Sequence, residues 1–257
     1  MSDFKTQEVL TAVQVEGPPE NLLSMVTRCF SYIRGEYILL TDRILPVPGG
    51  MSYSLTRESA CLLHRDTLPY IDFKNALLRE ILFPSRDFLR CLREEFSEEM
   101  RIPVAHCIRK LETRFPDDME ELVTALRVFR ETGYANVQEY EAEAWGLPAP
   151  PYDVTLNLDY PQDVLSVLNF HFTTLGPSPL NLLATLSAQY PECLFHVGVL
   201  PRNQGIAHVT QIKSGVPSME TWYTSMPTIR NLEPFRYVEK INQWCRGTTG
   251  YRRIRLS

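Results

Sequence analysis

The feature that most constrains the fold is a strict alternation of apolar and polar residues in the second half of the chain. It occurs in three short segments, at residues 154–158, 168–173 and 195–199. Because successive side chains of a strand point to opposite faces of a sheet, each segment predicts a half-buried β-strand. A leucine stripe at helical spacing follows Ser178-Pro179, which is typical of an N-cap and first-turn pair. The order predicted from residue 152 is therefore ββαβ, and residues 206–213 can return as a hairpin strand.

The first thirty residues supply a strand followed by a helix. Val13 and Val15 alternate with polar neighbours, Gly17-Pro18-Pro19 turns the chain, and apolar residues then recur at helical spacing up to Phe30. Joined to the later segments, this βα unit completes the order βαββαβ. The predicted fold class is α+β: a ferredoxin-like βαββαβ sheet with a large helical insertion and a C-terminal extension.

The insertion is predicted to be mostly helical. Residues 31–69 are irregular apart from one strand near residues 37–40, and three helical stripes follow. Ser85 can cap the first stripe, and Gly133 ends the third. The three apolar stripes are buried most simply against one another. The predicted divisions are residues 1–30 (leading βα unit), 31–135 (mostly helical insertion), 136–215 (remainder of the ferredoxin-like domain) and 216–257 (aromatic and arginine-rich extension).

Charge is unevenly distributed along a chain whose net charge is -5. The segment 117–143 is acidic, whereas the last twelve residues carry arginines and no carboxylate side chain. One interpretation is two solvated faces, and the other is a bipolar surface that orients a partner, since clustered charge accelerates association.

The sequence contains no apolar run of membrane-spanning length and no basic-then-apolar start typical of a signal peptide. The protein is therefore predicted to stay in the cytoplasm, where it is made. The six cysteines are scattered, which favours reduced thiols in small core spaces over a disulfide framework.

A recognisable set of residues lies where the insertion meets the later strands. Gly133-Tyr134 is followed by Trp145-Gly146 and Tyr152-Asp153, and a proline-started helix ends later at Tyr190-Pro191. Over Glu131 to Gly215, about a third of the chain, this pattern resembles the YubB ferredoxin-like family. The resemblance implies a protein carried by plasmids, phages or other mobile elements. Large aromatic side chains beside a glycine commonly pin a loop against the core. We therefore expect the family-motif residues to be structural: Gly133, Tyr134, Trp145, Gly146, Tyr152 and Asp153.

The sequence has no nucleophile elbow, phosphate-binding loop, dinucleotide fingerprint or HExxH motif. His171 and His196 form the strongest candidate acid/base pair, because both lie on the polar side of predicted strands and could face each other. Such a pair also needs an orienting carboxylate, for which Asp153 or Asp159 is a candidate. Two surface histidines are the alternative, and we expect no enzyme activity.

No cofactor or metal site is expected either. His106 and Cys107 are neighbours, but adjacent residues on a helix point about 100° apart and do not readily grip one ion.

A ferredoxin-like sheet leaves one face free of helices, and RNA-recognition domains stack bases on aromatic residues of that face. Here the outward side chains are predicted to be polar, without a Phe or Tyr platform: Thr155, Asn157, Asn169, His171, Thr173 and His196. Nucleic-acid binding in plasmid or phage maintenance is therefore the alternative hypothesis, with direct contact secondary.

The extension after residue 215 is rich in the residue types that dominate protein interfaces. A final helix from Glu233 to Cys245 could bury some of them in the core. The predicted partner-binding residues are Trp222, Tyr223, Arg230, Arg236, Trp244, Arg246, Tyr251, Arg252, Arg253 and Arg255. We expect a non-catalytic accessory protein that binds a host protein or ribonucleoprotein complex, with no membrane partner. Because the resemblance implies a mobile-element protein in the cytoplasm of a bacterial host, inhibition of a host defence system in an anti-CRISPR-like manner is the first hypothesis.

Overall fold

The computed structural model of the protein describes residues 7–96, 101–147, 149–159, 165–176, 178–202, 204–218, 220–239 and 241–244. Its strands are β1 (Glu8–Glu16), β2 (Phe30–Ile33), β3 (Glu36–Leu39), β4 (Thr67–Pro69), β5 (Arg101–Pro103), β6 (Tyr152–Asp159), β7 (Val167–Leu175), β8 (Leu194–Pro201), β9 (Ala207–Lys213), β10 (Val216–Pro217) and β11 (Thr221–Tyr223). Its α-helices are α1 (Pro19–Cys29), α2 (Thr41–Ile44), α3 (Arg57–Leu63), α4 (Tyr70–Glu80), α5 (Arg86–Glu95), α6 (Val104–Arg114), α7 (Pro116–Thr132), α8 (Val137–Tyr140), α9 (Leu180–Gln189), α10 (Met226–Asn231) and α11 (Ile241–Trp244).

The chain divides into two compact units. The sheet unit comprises Met1–Pro46 and Glu141–Ser257, and the helical unit comprises Val47–Tyr140. The predicted α+β class is confirmed. No helix in the described ranges has the length and apolar character needed to cross a membrane.

Nine of the described strands form one sheet in the sheet unit. Its order is β10-β9-β8-β1-β7-β6-β3-β2, β11 also pairs with β9, and the strand pairs are antiparallel. β1 lies at the centre and pairs along its length with β7 and β8. The strands predicted near residues 13–15, 154–158, 168–173, 195–199 and 206–213 are confirmed, because their period-two pattern is a strong local signal.

The hairpin β2–β3 differs from the sequence-based expectation of one strand in this region. Arg34 and Gly35 form its two-residue turn with φ of 55° and 91°, which is the backbone that joins closely paired strands. β3 then pairs with β6 and extends the sheet. The hairpin consequently belongs to the sheet unit, and the helical unit begins at residue 47 instead of residue 31.

The helical unit contains the three predicted helices, α5, α6 and α7. Ser85 Oγ accepts a hydrogen bond from Phe88 N, and Gly133 ends α7 in the left-handed region at φ 81°. Two further helices precede these three: α3 lies in the segment 31–69 that was predicted to be irregular, and α4 lies at the start of the stretch predicted to be helical. Thr56 caps α3 by accepting from Ser59 N. Their apolar faces join one buried cluster with those of α5, α6 and α7, so tertiary packing stabilises helices whose sequence pattern is weak.

Candidate functional site

The two faces of the central sheet differ in chemistry. Alternate residues of β1 show this: Val9, Val13 and Val15 belong to an apolar face, whereas Leu10 and Ala12 share the opposite face with Gln14 and Glu16. We call the second one the mixed face. From Leu10 onward, this face of β1 has an apolar half, Leu10 and Ala12, followed by a polar half, Gln14 and Glu16.

The C-terminal extension covers the apolar half of the mixed face. The described residues 226–239 and 241–244, here called the cover, form a buried cluster with the sheet that contains Leu10, Ala12, Leu200, Ala207, Ile229, Phe235, Val238 and Ile241. Phe235 is 1% exposed and packs at Gly198, where the missing side chain leaves room for its ring. The expectation that this whole sheet face is free is therefore wrong, since a distant segment of the same chain lies on it.

The final helix predicted from Glu233 to Cys245 is not continuous over the described residues. Glu233–Phe235 is a single 3-10 turn, and α11 spans Ile241–Trp244. Backbone amides of Phe235, Val238 and Ile241 each donate to the carbonyl three residues earlier. Phe235, Val238 and Ile241 are buried and spaced by three residues, which fits these 3-10-type hydrogen bonds. The same spacing is also typical of an α-helix, so the sequence pattern did not distinguish the two.

Two predicted partner-binding residues pack in or against the apolar cluster that the cover forms with the sheet. Trp244 Nε1 donates to Leu200 O at 3.1 Å, and the Arg202 guanidinium lies over the indole at 5.3 Å from its centroid. Tyr223 is partly buried and packs against the same apolar cluster. Both side chains therefore have intramolecular contacts that account for their position.

Other predicted residues of the extension are exposed. Trp222 is 60% exposed, although β11–β9 pairing fixes its backbone opposite His208 and the two rings lie 4.8 Å apart. Arg230 is exposed in the last turn of α10, and Arg236 Nε donates to Asn231 O at 3.3 Å. The remaining predicted residues lie outside the described ranges: Arg246, Tyr251, Arg252, Arg253 and Arg255.

A row of polar side chains crosses the polar half of the mixed face. Direct cross-strand pairing aligns one residue from each of five neighbouring strands, and we call them the polar row: Gln211, His196, Gln14, Asn169 and Asn157. Gln14 and Asn169 are 8% and 4% exposed. Gln14 Oε1 and both amide atoms of Asn169 have no hydrogen-bond partner among the described residues. Buried polar groups are normally paired, so this row is chemically unusual for a sheet surface.

A cavity of about 270 Å³ lies between the polar row and the cover. Its polar lining includes Asn157, Asn169 and His171 from the sheet, with Tyr237 and Glu239 from the cover. Sequence reasoning expected no tyrosine at this face. Tyr237 reaches it because the cover folds back onto the sheet.

The two histidines considered as an acid/base pair do not meet. His171 pairs with Ala12 on one side of β1, while His196 pairs with Gln14 on the other side. Two strand spacings of about 4.8 Å therefore separate their backbones laterally. Asp153 lies on β6, and the side chain of Asp159 falls outside the described part of the structure.

The family-motif residues near α7 have definite structural contacts. Tyr134 packs edge-to-face on Tyr140, with centroids 5.4 Å apart, just after the left-handed Gly133. Trp145 is 2% exposed, and its Nε1 donates to Leu45 O at 2.9 Å. Gly146 has φ 72°, a conformation that a side chain would strain.

The Tyr152-Asp153 pair lies at an irregularity in β6. The β6–β7 register shifts between Tyr152 and Thr155, and Asp153 has φ 51° there. Tyr152 OH donates to Glu8 Oε1 at 2.7 Å, and burial, with a smaller contribution from Asp153, raises the pKa of this phenol. The pair therefore fixes the backbone irregularity at the start of β6, where this strand begins to pair with β7.

One cluster of potential metal-binding groups was missed by the sequence. Glu16, His196 and Glu233 bring one ligand atom each within 4.8 Å of one another. The three residues come from β1, β8 and the cover, so no local motif announces them. The sequence did place Glu16 and His196 on the polar sides of their strands, but it gave no indication that Glu233 would join them.

The chain was compared with protein-family models, curated proteins and solved structures. No family model and no curated protein matches the chain. Among solved structures, the chain is similar to a protein api92 from Yersinia pseudotuberculosis, family-model DUF1281, with a TM-score of 0.40 and 12% sequence identity. The match covers 86% of this chain and 99% of the other. A likeness at this level does not bear on function.

Proposed function

We propose that the chain is a non-catalytic accessory protein that binds a host protein complex. The observation that carries the proposal is the indole of Trp222, which is 60% exposed while backbone pairing and the ring of His208 fix its position. A large aromatic side chain that is already ordered loses little entropy on binding, and tryptophan is enriched among residues that dominate interface energies.

The proposal includes membership of the YubB ferredoxin-like family. The strand order β8-β1-β7-β6 supports it, since these are the fourth, first, third and second strands of the proposed βαββαβ core. β2–β3, β9–β11 and the cover are then additions to that core. The mobile-element context implied by the resemblance favours a host defence complex, such as a CRISPR effector, as the partner.

Affinity purification of the tagged full chain from a bacterial host tests this proposal. We expect recovery of a defined defence complex, and Trp222→Ala should weaken its binding by about 30-fold, the effect of a 2 kcal/mol interface residue. Tyr53→Ala is the matched control, because Tyr53 is 80% exposed in the helical unit. Equal loss in both variants, or recovery of no protein by the wild type, would contradict the proposal.

A second arm of the same experiment examines the helical unit. Leu82 and Phe83 are 72% and 91% exposed in the turn after α4. If the helical unit supplies the contact, Phe83→Ala reduces recovery and Trp222→Ala does not. That outcome would overturn the assignment to Trp222 while keeping protein binding.

Nucleic-acid binding remains the alternative, and the cavity beside the polar row favours it. Asparagine amides recognise base edges, and Tyr237 supplies an aromatic ring at the same cavity. Glu239 also lines the cavity and repels phosphate, so this function ranks second. Its test is binding of single-stranded oligonucleotides at several salt concentrations: Asn169→Ala and Tyr237→Ala should each weaken binding, and Glu239→Gln should strengthen it. Unchanged affinity in all three variants would exclude the cavity as the binding site.

A further inference from the structure

We propose that Glu16, His196 and Glu233 form a site for a first-row divalent cation such as Zn²⁺. The three ligand atoms lie within 4.8 Å of one another, and His196 Nε2 is 3.7 Å from Glu16 Oε1. Small rotations of the two glutamates bring all three atoms to the distances of about 2.0–2.2 Å at which zinc binds nitrogen and carboxylate oxygen.

The sheet fixes two of the three ligands. Glu16 pairs with Leu194 and Gln14 pairs with His196, so Glu16 and His196 are diagonal neighbours on the mixed face. Such neighbours remain within reach of each other without movement of the backbone. The site is therefore preorganised on rigid strands.

The cover supplies the third ligand. Phe235 is locked against Gly198, which lies two residues beyond His196 on β8. Glu233 begins the 3-10 turn that ends at Phe235. The packing of Phe235 thus positions the Glu233 carboxylate toward His196, and a bound cation would link the cover to the sheet.

The charge of the cluster suits a divalent cation. Within the described ranges, no lysine or arginine forms an ion pair with Glu16 or Glu233, and the charged neighbour of Glu16 is His196. Two carboxylates beside one imidazole leave a net negative charge whether the imidazole is neutral or protonated. A dication neutralises that charge.

The imidazole also presents a suitable nitrogen. His196 Nε2 is buried and lacks a hydrogen-bond partner among the described residues, while Nδ1 lies 3.3 Å from the amide nitrogen, Nε2, of Gln211. The oxygen and nitrogen of an amide are assigned by their surroundings. When the Gln211 amide is turned by 180°, its oxygen accepts from Nδ1–H and Nε2 carries the free lone pair beside the carboxylates, which is the usual arrangement behind a metal-bound histidine.

The ligand set selects the class of metal. One nitrogen and two carboxylates suit zinc or manganese better than Ca²⁺, which prefers oxygen ligands throughout. Zinc binds more tightly than manganese to such sites, and three protein ligands leave a position for water.

Calorimetric titration of the metal-stripped full chain with ZnCl₂ tests the site. We expect one equivalent to bind, and the thermal unfolding temperature to rise with zinc concentration. His196→Gln and Glu233→Gln should each abolish this binding, while Gln211→Ala should weaken it about tenfold. His106→Ala, an exposed histidine in the helical unit beside Cys107, is the control for zinc held by histidine or cysteine elsewhere.

Three outcomes would overturn the proposal. They are no binding of one equivalent by the wild type, equal affinity in His196→Gln and the wild type, and loss of binding in His106→Ala alone. Glu233→Gln keeps side-chain size at an exposed position, so its circular dichroism spectrum should match the wild type. This separates loss of a ligand from loss of the fold, and the result does not depend on recovery of a host partner.

Discussion

The ring of Phe235 occupies the space where Gly198 lacks a side chain. A Cβ built on Gly198 would lie 2.6 Å from Phe235 Cε2 and 3.2 Å from Pro234 Cβ. Real carbon atoms do not approach so closely. The packing of the cover on the sheet therefore depends on residue 198 of β8 being glycine.

Gly198→Ala should destabilise the sheet unit by about 1–3 kcal/mol, because overpacking forces the buried Phe235 ring out of its position. Urea unfolding followed by circular dichroism measures the change. Gly49→Ala is the matched control, since a Cβ there meets no atom within 4 Å and φ is not positive; its effect should stay within about 0.5 kcal/mol. Equal effects in the two variants would contradict the packing described here.

A double variant tests whether the two residues act as a pair. Phe235→Leu removes ring atoms at the contact, so Gly198→Ala should cost less in that background than in the wild type. The coupling free energy from the four unfolding measurements is expected to exceed about 0.5 kcal/mol. If the two changes in unfolding free energy were strictly additive, Gly198 and Phe235 would not interact, and other contacts would hold the cover on the sheet.

Trp145→Phe should destabilise the sheet unit by about 1–3 kcal/mol. The change removes the donor to Leu45 O and leaves this part-buried carbonyl without that partner. Trp222→Phe is the matched control, because Trp222 is largely exposed and its replacement should fall within about 0.5 kcal/mol. Urea unfolding of both variants measures the difference, and a larger loss in Trp222→Phe would refute this assignment.

Stability should depend on the protonation of His208. Burial lowers its pKa below the ordinary value near 6.5, and Glu220 opposes this shift. The unfolded chain then takes up the proton at higher pH than the folded chain. The stabilising contribution of neutral His208 to the free energy of unfolding is therefore present above about pH 6.5, and it is lost as the pH falls toward the folded-state pKa.

The free energy of unfolding at pH 7.5 and pH 5.5 measures this dependence. His208→Gln should lose less stability over that interval than the wild type, because the titrating group is gone. Identical losses in the two proteins would contradict the role of His208.

Thiol reactivity should separate Cys61 from the buried cysteines. Burial raises the pKa of Cys29 and Cys107 to about 11, and it also raises that of Cys91 and Cys193. Cys61 is exposed. In a Cys245→Ser background, titration with Ellman's reagent at pH 8 should therefore show one fast thiol, with the others reacting upon unfolding. Cys61→Ser should remove the fast phase, and a remaining fast phase would show that a buried site opens readily.

Local sequence signals determined much of the secondary structure. The alternation at residues 154–158 specified β6 because a period of two has one structural interpretation at that length. Ser85 and Gly133 marked helix ends because capping depends on a few neighbouring backbone groups. The same local reasoning missed the Arg34-Gly35 hairpin, whose turn lacks the Asn-Gly or Asp-Gly pair that usually signals one.

The tertiary structure decided what lies on the mixed face of the sheet. Alternation in β1 and β8 indicates that one side carries polar residues, but it cannot tell whether that side meets solvent or another part of the chain. Phe235 covers Gly198, and Glu233 joins Glu16 and His196, because a segment far along the chain returns to the sheet. Such contacts depend on nonlocal packing and loop closure, whereas the sequence by itself determined the local periods and caps that build each strand and helix.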